Sequence, residues 1–108
     1  MSKTPFPEGT DSLKKLQEYV WQINLERGFN VTDPSKKLIM LLEEVGELAK
    51  AIRKTAGLKF TDTTKRTEVS EELADVQIVL LSLATMSGVD LYTAVKEKEA
   101  KNRKRAWK

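Results

Sequence analysis

The 108-residue sequence contains no cysteine and no histidine. Without thiols there is no disulfide framework, no thiolate nucleophile and no thiolate zinc site. Without imidazole there is no Ser-His-Asp triad, no histidine base and no histidine-ligated metal. The five glycines, Gly9, Gly28, Gly46, Gly57 and Gly88, all stand alone, so no Gly-rich loop is present to cradle phosphates. No apolar run approaches the ~20 residues of a membrane span. The opening MSKTPFPEGTD lacks the apolar centre of a signal peptide, so the expected compartment is the cytoplasm and no membrane partner is expected. Whatever chemistry this chain performs falls to carboxylates and amines, and any metal is an oxygen-loving one such as Mg²⁺ or Mn²⁺.

What is present is ordinary for one soluble globular domain: 40% hydrophobic and 32% charged residues. The net charge is +3, but it is unevenly placed. Residues 96–108 carry seven basic side chains against Glu97 and Glu99, leaving the rest of the chain slightly acidic. A basic end favours an anionic partner.

Apolar periodicity predicts an all-α fold of four helices, with residues 1–10 as an irregular arm and 11–108 as the domain. Thr10 or Asp11 caps a first helix running to about Arg27, buried through Leu13, Leu16, Val20 and Ile23 and closed by Gly28. Asp33-Pro34 opens a second helix to about Thr55, with Gly57 beyond its end. Its expected core stripe is Leu38, Leu41, Leu42, Val45, Leu48, Ala49 and Ile52. Residues 56–66 read as a polar connection. The third helix, Thr67–Gly88, buries Val69, Leu73, Val76, Leu80 and Leu83, and Asp90 caps a fourth that runs toward the C-terminus. Helix three carries apolar residues on nearly every side, so completion by homo-oligomerisation through helices two and three is expected.

The chemistry-bearing pattern is acidic. Glu43, Glu44 and Glu47 sit on helix two, and Glu72 and Asp75 repeat the i, i+3 spacing on helix three. Like charges so placed cost a helix a few tenths of a kcal/mol. Solvated faces neutralised by Lys50, Arg53 and Lys54 are the plain explanation, but Glu72 falls inside the core-facing sector of its helix, where burial of a lone carboxylate is costly. It needs a cation, from another helix or from a metal. If helices two and three pack antiparallel, the four acids converge. On helix four the stripe that begins Leu91, Ala94, Val95 continues as Lys98, Asn102 and Arg105. Such side chains either snorkel over a core edge or hold phosphate.

EEVGEL (Glu43–Leu48) followed by EELADV (Glu71–Val76) resembles the MazG-type nucleoside triphosphate pyrophosphohydrolases of the all-α NTP pyrophosphatase superfamily. Their signature is ExxE, a spacer, then ExxD; here it is Glu44, Glu47, a 24-residue gap, Glu72 and Asp75. The terminal KxxxN of dCTP-pyrophosphatase-like members matches Lys98 and Asn102. The resemblance covers roughly residues 10–106. It implies cleavage of a (deoxy)nucleoside triphosphate between the α and β phosphates, giving NMP and pyrophosphate, in nucleotide-pool house-cleaning. It also implies that Glu44, Glu47, Glu72 and Asp75 hold one to three Mg²⁺ (or Mn²⁺), that Glu43 is the general base, and that Lys98 and Asn102 bind substrate; Arg105, on the same stripe of helix four, and Lys54, on helix two, are expected to join them. The expected assembly is a homodimer or a homotetramer built as a dimer of dimers. Where dCTP-specific relatives carry a tyrosine one turn after the ExxD aspartate, this chain has Val79. Stacking on the base then falls to Phe29, Tyr19 or Trp21, each of which also suits a core. The competing readings are a phosphoribosyl-ATP pyrophosphatase, a structural oligomer with Glu72 paired to a lysine, and a helical module binding nucleic acid through KNRKRAWK; nucleic acid is not the expected partner.

Overall fold

The computed structural model describes residues 4–7, 12–28, 33–56 and 63–105, of 63–67 the backbone alone. Four helices, α1 (Leu13–Glu26), α2 (Pro34–Thr55), α3 (Thr63–Met86) and α4 (Leu91–Arg103), make up the described fold, which contains no strand. The expected all-α class is what the chain adopts. The Ser12 side chain, rather than Thr10 or Asp11 (which lies outside the described residues with Thr10), accepts from the Lys15 N–H to cap α1. Asp33 accepts from the Ser35 N–H at 2.9 Å, and Pro34 occupies the first helical position of α2. Helix α3 begins at Thr63, so part of the expected 56–66 connection is helical; Gly57, the expected stop of α2, lies outside the described residues. Gly88 adopts φ +71° after α3, and the Val89 N–H reaches back to the Ala84 carbonyl at 2.9 Å. That is the left-handed stop in which glycine carries no Cβ penalty.

Helix α3 is the central element, packed on α2 along one side and on α1 along another. This is why its apolar residues surround it. Leu81, off the expected stripe, is fully buried, as is Ser82, and Ala84 is buried too, while Leu73, on that stripe, is 52% exposed. On the same stripe Val69 is buried and Val76, Leu80 and Leu83 are half-buried, so a helix clamped from two directions buries residues off the stripe as well as most of those on it. Helix α2 departs from expectation more sharply. The residues buried or half-buried along it are Lys37, Leu41, Glu44, Leu48, Ala51 and Thr55, recurring every three or four positions. Leu38, Leu42, Val45 and Ile52, expected in the core, are exposed, Leu42 by 62%. Two apolar stripes run side by side on α2, and α3 covers only one of them.

Helix α1 is held to the far end of α3 by buried amides. Asn24 donates to Ser82 Oγ at 2.6 Å. The Gln17 side-chain amide donates to Thr85 Oγ1 at 3.1 Å and the Val89 carbonyl at 2.7 Å, and its oxygen accepts the Leu91 N–H at 3.0 Å. One side chain thus ties together the end of α3, the turn and the start of α4. Helix α4 leaves at 92° to α3 and packs chiefly on α1. Residues 4–7 are pinned to α1 by Thr4, which hydrogen-bonds the Glu26 carboxylate, and by Phe6, edge-on to Tyr19 at 5.0 Å. Among the described residues no single helix is long and apolar enough to cross a bilayer.

Candidate metal and nucleotide site

Where α2 and α3 cross, the expected acids converge. One carboxylate oxygen each from Glu44, Glu72 and Asp75 lies within 4.8 Å of the other two. Glu44 and Glu72 are half-buried and Asp75 is exposed. An octahedral Mg²⁺ with ligands at ~2.0–2.1 Å places its oxygens about 3.0–4.2 Å apart. The cluster is therefore within rotamer adjustment of a chelating arrangement, and its all-oxygen donor set suits a hard divalent cation. Antiparallel packing accounts for the convergence: Glu44 meets Asp75, while Glu47, one turn on, meets Glu72, one turn back.

The electrostatics agree with the geometry. Loss of hydration on burial pushes the Glu72 carboxyl above its ordinary value, and the negative charges of Asp75, Glu44, Glu47 and Glu71 push it the same way. Among the described residues no basic side chain forms an ion pair with any of these acids. The expectation that Glu72 lies in a packed sector and needs a compensating cation thus meets a half-buried carboxylate surrounded by acids. A lysine partner for it is absent among the described residues.

A groove of about 150 Å³ continues from the cluster between α2 and α3, lined by Glu47, Lys50, Ala51, Lys54, Glu68, Glu71 and Glu72. Lys54 sits there as expected of a substrate-binding cation. Lys50 joins it without having been among the expected substrate-binding residues; its signal in the sequence is the i, i+3 relation to Glu47 and i, i+4 relation to Lys54, which puts all three on one face. Glu43 is exposed beside Glu44 and stands outside the converging trio.

Neither Lys98 nor Asn102 lines the groove beside the acids, and Arg105 lies beyond the end of α4. Lys98 and Asn102 line a separate hollow of about 250 Å³ on α4, with Ala94, Val95 and Glu99. Of the aromatic residues considered for base stacking, Tyr19 is half-buried against Phe6. Trp21 lines an open cavity of about 480 Å³ beside Gln17 and the α3–α4 turn, and Phe29 lies outside the described residues.

Comparison with known proteins matches residues 32–107 to the MazG nucleotide pyrophosphohydrolase domain. That span includes both acid pairs and the whole of α4. A dATP/dGTP diphosphohydrolase of Cyanophage S-2L is 39% identical over 74 residues, which cover 68% of this chain. The chain spans 58% of the length of that relative. With the family match extending over most of the sequence and all of the acid-bearing helices, this chain belongs to the MazG nucleotide pyrophosphohydrolase family.

Proposed function

We propose that the chain hydrolyses a (deoxy)nucleoside triphosphate to the monophosphate and pyrophosphate, with residues 11–108 as the working domain and 1–10 as an arm. The observation that carries this reading is the approach of Glu44, Glu72 and Asp75 to within 4.8 Å without a basic partner. Water adds across the α–β anhydride: one bond to the bridging oxygen breaks, one P–O bond forms, and pyrophosphate leaves. Glu44, Glu47, Glu72 and Asp75 would hold Mg²⁺, with Mn²⁺ as a substitute. A divalent cation bound there supplies Lewis-acid stabilisation of phosphate charge and lowers the pKa of water. Lys54 and Lys50, in the groove beside Glu47 and Glu72, neutralise phosphate oxygens. Glu43 takes the proton from the attacking water as general base. Lys98, Asn102 and Arg105 complete the phosphate-binding set. The cyanophage relative's name points to purine deoxynucleotides as the first substrates to try, in a cytoplasmic house-cleaning role.

The assembly is a homo-oligomer, a dimer or a dimer of dimers. Support comes from the exposed stripe Leu38, Leu42, Val45 and Ile52 on α2, with Leu73 and Ile78 exposed on α3. The Cα radius of gyration, 16.4 Å, exceeds the about 13 Å expected of a compact chain of this length. A panel of canonical and damaged nucleoside triphosphates, dATP and dGTP first, assayed with Mg²⁺ for pyrophosphate and monophosphate, tests the activity. Release of orthophosphate, or no turnover on any member, would overturn it.

A further inference from the structure

The open cavity of about 480 Å³ beside Trp21 is no part of the acid site. It lies between α1 and the α3–α4 turn, and among the described residues none of its lining comes from α2. Lys14, Gln17, Glu18, Trp21 and Gln22 reach it at intervals of three and four, so one face of α1 forms its floor along about 12 Å of helix. Its volume is that of a small-molecule site, for which roughly 300–1,000 Å³ is usual.

Two features of the walls select a ligand. On the turn side stands Asp90, at the N-cap position of α4, yet its carboxylate caps no backbone N–H. Oδ2 accepts the Thr93 hydroxyl at 3.0 Å, while Oδ1 is sealed from solvent and has no hydrogen-bond partner among the described residues. A buried acceptor without a donor costs about 1–3 kcal/mol, and more when it is charged. Lys14, on the same lining, does not fill the gap. The terminal torsion of an aspartate is broad, so a small turn of the carboxylate offers Oδ1 to a donor seated in the cavity. On the α1 side stands Trp21, half-buried. Gln17 accepts the Leu91 N–H, which sets Asp90 near the level of Gln17, and Trp21 follows one turn later, about 6 Å along α1. Long helical side chains lean toward the N-terminus, so the indole leans back toward that level. A cation between them meets a carboxylate and an aromatic face, the pairing that recognises organic ammonium ions. Charge decides against a nucleotide here: Glu18 and Asp90 outnumber Lys14, so phosphate is repelled and a cation drawn in. With Oδ2 engaged, one carboxylate oxygen remains, which suits a point-charge ammonium better than a bidentate guanidinium.

We propose that this cavity is a second binding site, for a small organic ammonium ion: a primary amine on an apolar or aromatic stem, its –NH₃⁺ on Asp90 and its stem against Trp21 and Val89. The bound amine joins α1 to the α3–α4 turn where Gln17 already joins them, and so adds to the tie that fixes α4. The site is independent of the pyrophosphohydrolase reading and stands or falls apart from it.

Titration of the full chain with 2-phenylethylamine and with Nα-acetyl-lysine amide tests it, by isothermal calorimetry and by the Trp21 indole N–H signal in NMR. One amine per chain should bind, move the Trp21 signal and raise the melting temperature. Tighter binding of phenylethylamine assigns the site to a free amine, and tighter binding of the lysine amide assigns it to a lysine presented by another protein; both uphold an ammonium site. Asp90→Asn, which keeps the shape and removes the charge, should weaken binding about ten- to hundredfold. Trp21→Leu should weaken it about two- to thirtyfold. Glu72→Gln, in the acid cluster, should leave it unchanged. Loss of binding in Glu72→Gln puts the amine on the acid cluster and overturns the proposal. No binding at millimolar amine, wild-type affinity in Asp90→Asn, or a Trp21 signal that answers to dAMP and not to the amines overturns it as well.

Discussion

Gln17 accepts the Leu91 N–H at 3.0 Å across 74 residues of sequence, and this contact fixes the course of α4. The same amide serves Thr85 and the Val89 carbonyl, so replacing it strands polar groups in a buried place. Gln17→Leu should cost about 1–3 kcal/mol in urea unfolding. Gln17→Glu should cost more at neutral pH, because it buries a carboxylate whose oxygen faces the Val89 carbonyl where the amide donated at 2.7 Å. Equal losses for the two variants would reduce the amide to a space-filling role.

The acid cluster makes stability of the metal-free protein depend on pH. The Glu72 carboxyl is raised by burial and by the four neighbouring acids. A raised carboxyl contributes stability in full below its unfolded value, near 4.5, and that contribution is lost as pH rises through the folded value. Metal-free wild type should therefore lose melting temperature relative to Glu72→Gln as pH climbs from below that value toward neutrality. The apo variant should be at least as stable as wild type at neutral pH, with turnover abolished. Parallel melting curves across the range would show that Glu72 is stabilised by something other than a metal.

Divalent cations should reverse that penalty. Mg²⁺ or Mn²⁺ at millimolar concentration should raise the melting temperature of wild type and leave Glu72→Gln nearly unmoved. Ca²⁺, which prefers six to eight ligands at 2.3–2.6 Å, should support little turnover. Isothermal titration showing no divalent binding, with or without nucleotide, would remove the metal from the site.

The exposed stripe on α2 predicts a separation of assembly from folding. Leu42 is 62% exposed in the single chain, so Leu42→Glu should shift monomer stability by no more than about 0.5 kcal/mol. If the proposed assembly forms through this stripe, the variant should nevertheless be a monomer in light scattering where the wild type is not. A variant that stays assembled would place the contact elsewhere.

Helix α4 distinguishes a phosphate-binding lysine from a generally basic tail. If Lys98 binds phosphate as proposed, Lys98→Ala should lose a charge-assisted contact of about 1.5–3 kcal/mol, roughly ten- to hundredfold in kcat/KM. Lys104→Ala, past the end of α4 and off that stripe, should change catalysis little. A tail that binds nucleic acid would instead lose affinity about equally at both positions, with the salt slope falling by about one for each cation removed.

Much of this was legible in the sequence, and for local reasons. The caps at Asp33-Pro34, the stops at Gly28 and Gly88, and the acid pairs at i, i+3 are relations among residues a few positions apart, and helical geometry alone decides them. The convergence of Glu44, Glu72 and Asp75 was legible one step further, once the two long helices were set antiparallel. Periodicity could not choose between the two apolar stripes of α2: Leu38, Leu42, Val45 and Ile52 are as hydrophobic as Leu41, Leu48 and Ala51, and only the position of α3 decides which set it covers. Nor could it show that Leu81 rather than Leu73 would be buried, since that follows from α1 and α2 clamping α3 from different sides. The direction of α4 was equally out of reach. The stripe running from Leu91 to Lys98 and Asn102 is local, but a buried glutamine 74 residues upstream sets where that stripe points. Sequence determined which side chains could hold metal and phosphate. Tertiary structure alone decided that one chain brings the acids together and lines the groove beside them without Lys98 or Asn102, because the angle between packed helices is set by long-range contacts that no short window contains.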